Sequence, residues 1–245
     1  MTRARLFACL LGTSLLGACL PARPSYDDYL CRMPRSILVL PALNLTADAK
    51  ASSVFLSTIS RPLAECGYYV YPVAVVDEMM KENGLPTPGD MHQVPLSKIE
   101  EVFGADAVLY IEIKAWNTSY LVITTSTTVT LDYRLVDVKS GLKLWHQEIT
   151  VQDNSSSGGG NPYAMLAAAL VSAIVKSAST PQWGLARKAN QTLFQDSRRG
   201  LPKGQYHPDF ARDQQRLREL KRAGEKPVPP APVPAAAAEA GAGSP

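Results

Sequence analysis

The sequence predicts a single α/β (α+β) domain, a mixed sheet that includes an antiparallel meander, with helices packed on it. Two patterns carry that reading. Early in the chain, the apolar run Ser36-Ile37-Leu38-Val39-Leu40 is closed by Pro41 and followed by a helical pattern and a second short strand, the order of a βαβ unit. Later, two runs alternate apolar and polar residues with period two, which marks half-buried antiparallel strands, and a third strand returns from a hairpin turn behind them. An apolar fraction of 46% in 245 residues supplies core for one domain of ordinary size.

Taken in order, the strand at 36–40 is buried, because its run of apolar residues is continuous. Asn44 to Asp48 reads as a loop, with Asp48 as a helix cap. Val54, Thr58, Ile59 and Leu63 then recur at helical spacing up to Cys66, and Gly67 terminates the helix. Pro62 lies inside that pattern and should bend or shorten it. Tyr68-Tyr69-Val70-Tyr71 is a second short strand, stopped by Pro72, and a right-handed crossover would set it parallel to the first. Val75 to Glu82 reads as a helix closed by Asn83-Gly84, and Pro86 to Gln93 as a loop containing Thr-Pro-Gly-Asp. Leu96, Ile99, Val102 and Phe103 make an amphipathic helix.

Gly104-Ala105-Asp106 turns the chain into the meander. In the strand near 107–118, Leu109, Ile111 and Ile113 share one face, and Tyr110, Glu112 and Lys114 the other. In the strand near 123–137, Val129, Leu131, Tyr133 and Leu135 alternate with Thr128, Thr130, Asp132 and Arg134. Lys139-Ser140-Gly141 is a hairpin turn, and the strand near 142–152 returns from it. Asn154 to Asn161 is a serine- and glycine-rich loop. Tyr163 to Ser177 reads as a helix apolar almost all round, which must be buried in its own domain or in a neighbour's. A helix at roughly Gln182 to Phe194 and an irregular segment from Arg198 to Phe210 complete the domain, placed at 35–210.

Both ends differ in character from this body. Arg3 and Arg5 precede the apolar run Leu6 to Leu16, and Leu16-Gly17-Ala18-Cys19 closes it. A positive head, a short apolar middle and a small-residue exit make a signal peptide, residues 1–18, cleaved after Ala18. The cysteine directly behind reads as a lipobox. Cys19 is the lipidation site, acylated as the new N-terminus, and the apolar run is too short to span a bilayer. Leu20 follows it where an aspartate would retain the protein at the inner membrane, so outer-membrane placement is expected, facing the periplasm in preference to the cell surface. Residues 19–34 read as a lipidated tether. At the other end, 211–245 is a tail, first charged from Arg212 to Lys226, then proline and alanine from Pro227 to Pro245, the composition of an extended spacer.

Removing residues 1–18 leaves 23 Lys+Arg against 22 Asp+Glu. A body so nearly neutral argues against nucleic acid as partner, since phosphate binding needs a basic stripe. Cys9 leaves with the signal peptide and Cys19 carries lipid. Cys31 and Cys66 remain, an even pair in an oxidising compartment. They fit a disulfide closing a loop of roughly 35 residues, and they equally fit two separate buried thiols.

No constellation for catalysis emerges. His92, His146 and His207 have no partner at metal-ligand spacing, and no cofactor motif is present. There is no Gly-x-Ser-x-Gly elbow, and the Ser155 to Gly160 loop lacks the Gly-Lys-Ser/Thr of a phosphate cradle. Glu100-Glu101 and Asp77-Glu78 are adjacent helical residues that point apart. Tyr68, Tyr69 and Tyr71 read as core and rim. Trp116 and Tyr120, beside the Thr124–Thr128 run, are the place where a partner or a sugar polymer would meet the chain, with Glu112 as the nearby acid if it were a glycan enzyme.

The lipobox at Cys19, Ile37-Leu38-Val39-Leu40-Pro41, Cys66-Gly67-Tyr68-Tyr69-Val70, Gly104-Ala105-Asp106-Ala107-Val108-Leu109-Tyr110 and Asp137-Val138-Lys139-Ser140-Gly141-Leu142-Lys143-Leu144-Trp145 together resemble the bacterial lipoprotein family catalogued as domain of unknown function 799, over about residues 15–210. The Gly-Ala-Asp-Ala-Val and Asp…Gly…Leu-Trp pieces are also similar to periplasmic domains of the TolB N-terminal type, including CsgG secretion lipoproteins and LpoB activators of peptidoglycan synthases. The resemblance implies an outer-membrane lipoprotein with a compact α/β domain, often encoded beside a CsgG-like lipoprotein. It offers no catalytic residues to carry over. The function expected is a non-enzymatic component of a CsgG-associated envelope assembly, self-associating or not. An LpoB-like regulator of peptidoglycan synthesis and a cell-wall glycan enzyme are the alternatives.

Overall fold

The apolar run after Arg35 becomes β1 (Ser36–Val39), whose Ile37, Leu38 and Val39 are all buried because both faces of the strand are covered. The computed structural model describes residues 26–121, 124–156, 181–196 and 199–224. In these, β2 (Leu43–Asn44), β3 (Tyr69–Val70), β4 (Ala107–Leu121), β5 (Thr124–Asp137) and β6 (Lys143–Ser156) join β1 in one six-stranded sheet. Its order is β3-β1-β4-β5-β6, with β2 also paired to β4. The short strands β1, β2 and β3 pair in parallel, β1 with both β3 and β4. The long strands β4, β5 and β6 form an antiparallel meander. The molecule is therefore a mixed α/β domain with helices packed on a multi-stranded sheet.

Helices cover the two faces unequally. On one side α2 (Ala51–Glu65) and α6 (Pro181–Gln195) bury Phe55, Ile59, Leu63, Leu185, Leu193 and Phe194 against Leu109, Ile111, Leu131 and Tyr133. Aromatic rings of Phe55, Tyr133, Trp145 and Phe194 meet here at centroid distances of 5.7–6.3 Å. On the other side, α3 (Val73–Glu82), α4 (Pro88–Met91) and α5 (Leu96–Phe103) place Val76, Met80, Met91 and Ile99 on Leu38, Leu40, Val108 and Tyr110. Among the described residues that second cover stops near Tyr110. Beyond it the outer face of the meander carries polar residues.

Pro62 does not shorten its helix. A proline cannot donate to the carbonyl four residues back, so the Thr58 oxygen is released, and Asn190 Nδ2 on α6 donates to it at 3.4 Å and to Thr58 Oγ1 at 3.0 Å. The Tyr133 hydroxyl donates to Asn190 Oδ1. A fully buried asparagine thus ties α2, α6 and β5 together. Helix α2 starts at Ala51, behind Lys50, and the Asp48 carboxylate accepts from the Lys50 backbone instead of capping further in.

Other boundaries differ for local reasons. The segment read as a loop at 86–93 holds α4, because Thr87 and Asp90 form a reciprocal capping box with Pro88 in the first turn. Part of the Asn44 loop is β2, held in register with Glu112 and Ile113. The strands of the meander run past their expected ends, to Leu121 and to Ser156. The tether and tail both give residues to the fold. Helix α1 (Asp27–Arg32) and the residue before it bury Tyr26 and Tyr29, and α7 (Phe210–Gly224) buries Leu217. Gly67 explains how the last segment docks. It sits at φ +86°, Gly204 donates to the Cys66 carbonyl at 2.8 Å and Tyr206 to the Gly67 carbonyl at 3.1 Å. A Cβ on Gly67 would lie 2.4 Å from the His207 nitrogen. The apolar 163–177 stretch and residues 1–25 lie outside the described residues.

Candidate functional site

Two β-bulges decide what the meander presents. Ile113 pairs with Leu131 and Ala115 with Thr130, so Lys114 is the extra residue of a bulge in β4. Its ammonium donates to Asp132 at 2.9 Å on β5 and to Glu148 at 2.5 Å on β6. The second bulge places both Leu144 and Trp145 in the core, where the Trp145 indole donates to the Arg199 carbonyl at 3.0 Å.

The open face reads across the strands in rows. Tyr110, Arg134 and His146 are in register, as are Glu112, Asp132 and Glu148. Arg134 lies 5.1 Å from the Tyr110 ring centroid, and the His92 ring meets Tyr110 edge-on at 5.3 Å. His146 Nε2 is 3.1 Å from Asp132. Burial alone would raise the Asp132 carboxyl, but hydrogen bonds from Lys114 and His146 outweigh it and hold the group below its ordinary value. The hydrogen bonds that Lys114 donates, to Glu148 first and Asp132 second, raise its ammonium. His92, at the end of α4, is lowered by burial while Nε2 contacts the Pro41 carbonyl at 2.9 Å. The result is a shallow face, rich in charge and paired within itself.

This geometry suits contact with a polar surface. His146 has its Asp132 partner, but no hydroxyl or thiol completes a nucleophilic triad with them among the described residues. No group of His, Cys, Asp and Glu there could hold a metal ion. No described helix is long and apolar enough to cross a membrane. On the side of α3 and α5, exposed Met79 and Val102 line an apolar groove of about 550 Å³.

The residues singled out from the sequence fall in several places. Ala18 and Cys19 lie outside the described residues. Cys31 and Cys66 are free thiols. Cys31 is exposed on α1, whereas Cys66 is buried at the end of α2 with Sγ directed at the Phe194 carbonyl, 3.7 Å away. Burial pushes the Cys66 thiol up to about 11, with Lys203 opposing. Trp116 and Glu112 do not make a glycan site. The Lys114 bulge turns Trp116 onto the helix-covered face, where it is 3% exposed, while Glu112 stays in the outer row. The Tyr120 side chain and residues 157–160 lie outside the description. His207 Nδ1 accepts from the Asp209 backbone at 3.0 Å. Asp77 pairs with Lys81 and Glu101 with Lys98. Tyr68 is core, its hydroxyl donating to the Pro202 carbonyl at 2.5 Å, and Tyr69 is exposed rim.

The charged cluster itself was only half visible beforehand. Alternation places Glu112, Lys114, Asp132 and Arg134 on outer faces, but their meeting with His146 and Glu148 depends on register and on the bulge.

Residues 25–205 match the family of GNA1162-like lipoproteins. Lipoprotein NMB1124/NMB1162 of Neisseria meningitidis serogroup B is 35% identical over 190 residues, covering 77% of this chain and 87% of that protein. The crystal structure of lipoprotein GNA1162 from Neisseria meningitidis is 39% identical with a TM-score of 0.48, over 59% of this chain and 98% of that one. The LpoB C-terminal domain from Escherichia coli is 21% identical with a TM-score of 0.36, over 52% and 95%.

Proposed function

This chain belongs to the GNA1162-like lipoprotein family, and we propose that it is an outer-membrane lipoprotein that works without catalysis, as a docking component of an envelope assembly. Cleavage after Ala18 frees Cys19 for acylation, and the acyl chains hold the domain at the membrane with its body in the periplasm. The domain is of the TolB N-terminal kind, and its partner is another envelope lipoprotein, CsgG-like in type.

The observation that carries this reading is the outer face of β4, β5 and β6, which no helix among the described residues covers. Its charges are partly paired within the face, Lys114 with Asp132 and Glu148, and His146 Nε2 lies 3.1 Å from Asp132. Charges in fixed rows give a complementary polar surface its register and specificity. Among the described residues the face holds no enclosed cavity for a small substrate.

Photo-crosslinking tests the proposal. A photoreactive residue at Thr150, whose side chain faces outward beside Thr130, is expected to capture a discrete envelope lipoprotein in living cells. A control at Ser57, on the helix-covered side, should not. Capture of a penicillin-binding protein instead would favour the LpoB-like reading, in which the Pro/Ala tail from Pro227 supplies reach. Capture of the chain itself would make self-association the primary contact. Absence of any adduct, together with turnover of a cell-wall glycan by the purified protein, would overturn the docking reading.

A further inference from the structure

We propose that the α1–α7 end of the domain lies against the leaflet that holds the Cys19 acyl chains, with Arg218 and Arg222 on anionic phospholipid headgroups. This rests on the lipid anchoring proposed above and adds an orientation to it.

The first argument is reach. Six residues, Leu20 to Ser25, separate Cys19 from Tyr26, so the link spans about 25 Å when fully extended. No more slack follows, because the fold takes hold at once. Tyr26 is buried and its hydroxyl donates to the Gly200 carbonyl at 3.2 Å, and Tyr29 is fully buried. The meander is much longer than the link, since strands of 14 and 15 residues extend about 45 Å. An anchor at Tyr26 therefore keeps the start of α1 near the bilayer and leaves the far tip of the meander free to point away.

The second argument is charge. Lys221 Nζ pairs with Asp27 at 3.1 Å, which fixes the end of α7 beside the start of α1. Along α7, Arg216 is engaged by Asp213 at 2.6 Å and Arg212 by Asp209 at 3.3 Å. Arg218 and Arg222, one helical turn apart and exposed, make no ion pair among the described residues. They line a groove of about 720 Å³ together with Met33, Gln205, Phe210, Gln214 and Glu219, whose carboxylate accepts from Gln215 at 3.1 Å. Gln214 is 5% exposed, and neither polar atom of its amide is paired among the described residues. An unpaired buried amide is costly. A headgroup phosphate accepts from the guanidinium groups and from the amide, and Tyr206 and Leu220 are exposed nearby in sequence to meet the interface.

Cys31 provides a native reporter at this end. The full-length lipidated protein, labelled at Cys31 with a fluorophore, is placed in vesicles of phosphatidylethanolamine and phosphatidylglycerol that contain a headgroup-quencher lipid. A second protein carries the label at Gln152→Cys in a Cys31→Ser background, about 30 Å along β6 from Lys143. Strong quenching at Cys31 and little at Gln152→Cys is expected. Each cation near an anionic surface favours contact about five-fold, so Arg218→Glu/Arg222→Glu should lower Cys31 quenching toward the Gln152→Cys level while the protein stays vesicle-bound. Arg218→Lys/Arg222→Lys should retain it. Equal quenching at both labels, or no effect of charge reversal, overturns the orientation. The mass of the N-terminal peptide reads lipidation separately. An unacylated Cys19 overturns the anchoring and this proposal with it, whereas an acylated Cys19 with the wrong quenching pattern overturns the orientation alone.

Discussion

Replacing Asn190 with leucine tests the polar tie that holds α2, α6 and β5 together. Asn190 is fully buried and serves three groups: it accepts from the Tyr133 hydroxyl and donates to the carbonyl and to Oγ1 of Thr58. Thr58 Oγ1 keeps its own donation to the Phe55 carbonyl at 2.7 Å, so it is the least harmed. The Tyr133 hydroxyl and the Thr58 carbonyl are left without partners, and each such buried group costs about 1–3 kcal/mol. Asn190→Leu should therefore destabilise by about 2–5 kcal/mol, taking the two penalties with partial relaxation. For a domain of this size about 3 kcal/mol lowers Tm by roughly 6–12 °C. Tyr133→Phe alone leaves only Asn190 Oδ1 unpaired and should cost about 1–3 kcal/mol. The double variant removes donor and acceptor together, so its loss should fall short of the sum by about 1 kcal/mol or more. Urea titrations followed by circular dichroism measure all four proteins. Strict additivity, or an Asn190→Leu variant within about 0.5 kcal/mol of the parent, would refute the network as a source of stability.

Gly67→Ala should destabilise by about 2–5 kcal/mol, from the left-handed backbone and the approach of His207 together, and chemical denaturation reads it; a neutral result would mean that residues 204–207 do not dock as described. Iodoacetamide at pH 8 should alkylate Cys31 in the native protein and spare Cys66 until the chain is unfolded, and peptide mass spectrometry decides it, a Cys31–Cys66 disulfide being the contrary result. The folded state holds the Cys66 proton to about 11 and the Tyr26 proton to about 12, both raised by burial. The stability these groups contribute is complete below their unfolded values of 9.0 and 10.0 and is lost as pH rises through the folded ones, so thermal melts should fall steadily above about pH 9. Lys114→Met should let the Asp132 carboxyl titrate at higher pH, an NMR readout. Because Asp132 is held low in the fold, its contribution is present above its ordinary value of 3.8 and lost as pH falls further.

Local sequence rules reached those parts of the fold whose partners are near in the chain or whose pattern is regular. Period two placed Leu109, Ile111 and Ile113 correctly on one face, and all three are buried. The rule failed beyond Lys114, because a bulge has no signature in alternation and is settled by the partner strand. Trp116 changed faces for that reason, and with it went the aromatic that a glycan site needed. Pro62 failed similarly. Its cost inside a helix is a local fact, but the group that relieves it, Asn190, lies 128 residues away. The capping box of α4 was legible in Thr87-Pro88-Gly89-Asp90, where turn-forming residues drew a loop reading instead.

The two ends carry the same lesson further. Tyr26, Tyr29 and Met33 already stand at helical spacing, yet prolines on either side give the segment the look of a spacer. Arg212 to Lys226 looks solvated because only Leu217 and Leu220 are large and apolar. Neither segment has enough apolar surface to fold on its own. Together with residues 199–209 they do, through pairings that span almost the whole chain. Tyr26 donates to the Gly200 carbonyl, Tyr29 to that of Lys203 and Tyr68 to that of Pro202, while Lys221 pairs with Asp27. Composition measures what a segment can bury alone, and this end of the molecule is made of segments that are buried against one another and against the main core. Its stability should therefore be cooperative across the junction. Truncation at Pro208, which removes α7, is expected to expose Tyr26 as well, so hydrogen exchange should quicken in α1 and α2 together. Unchanged protection in α1 after that truncation would show that the two ends fold independently.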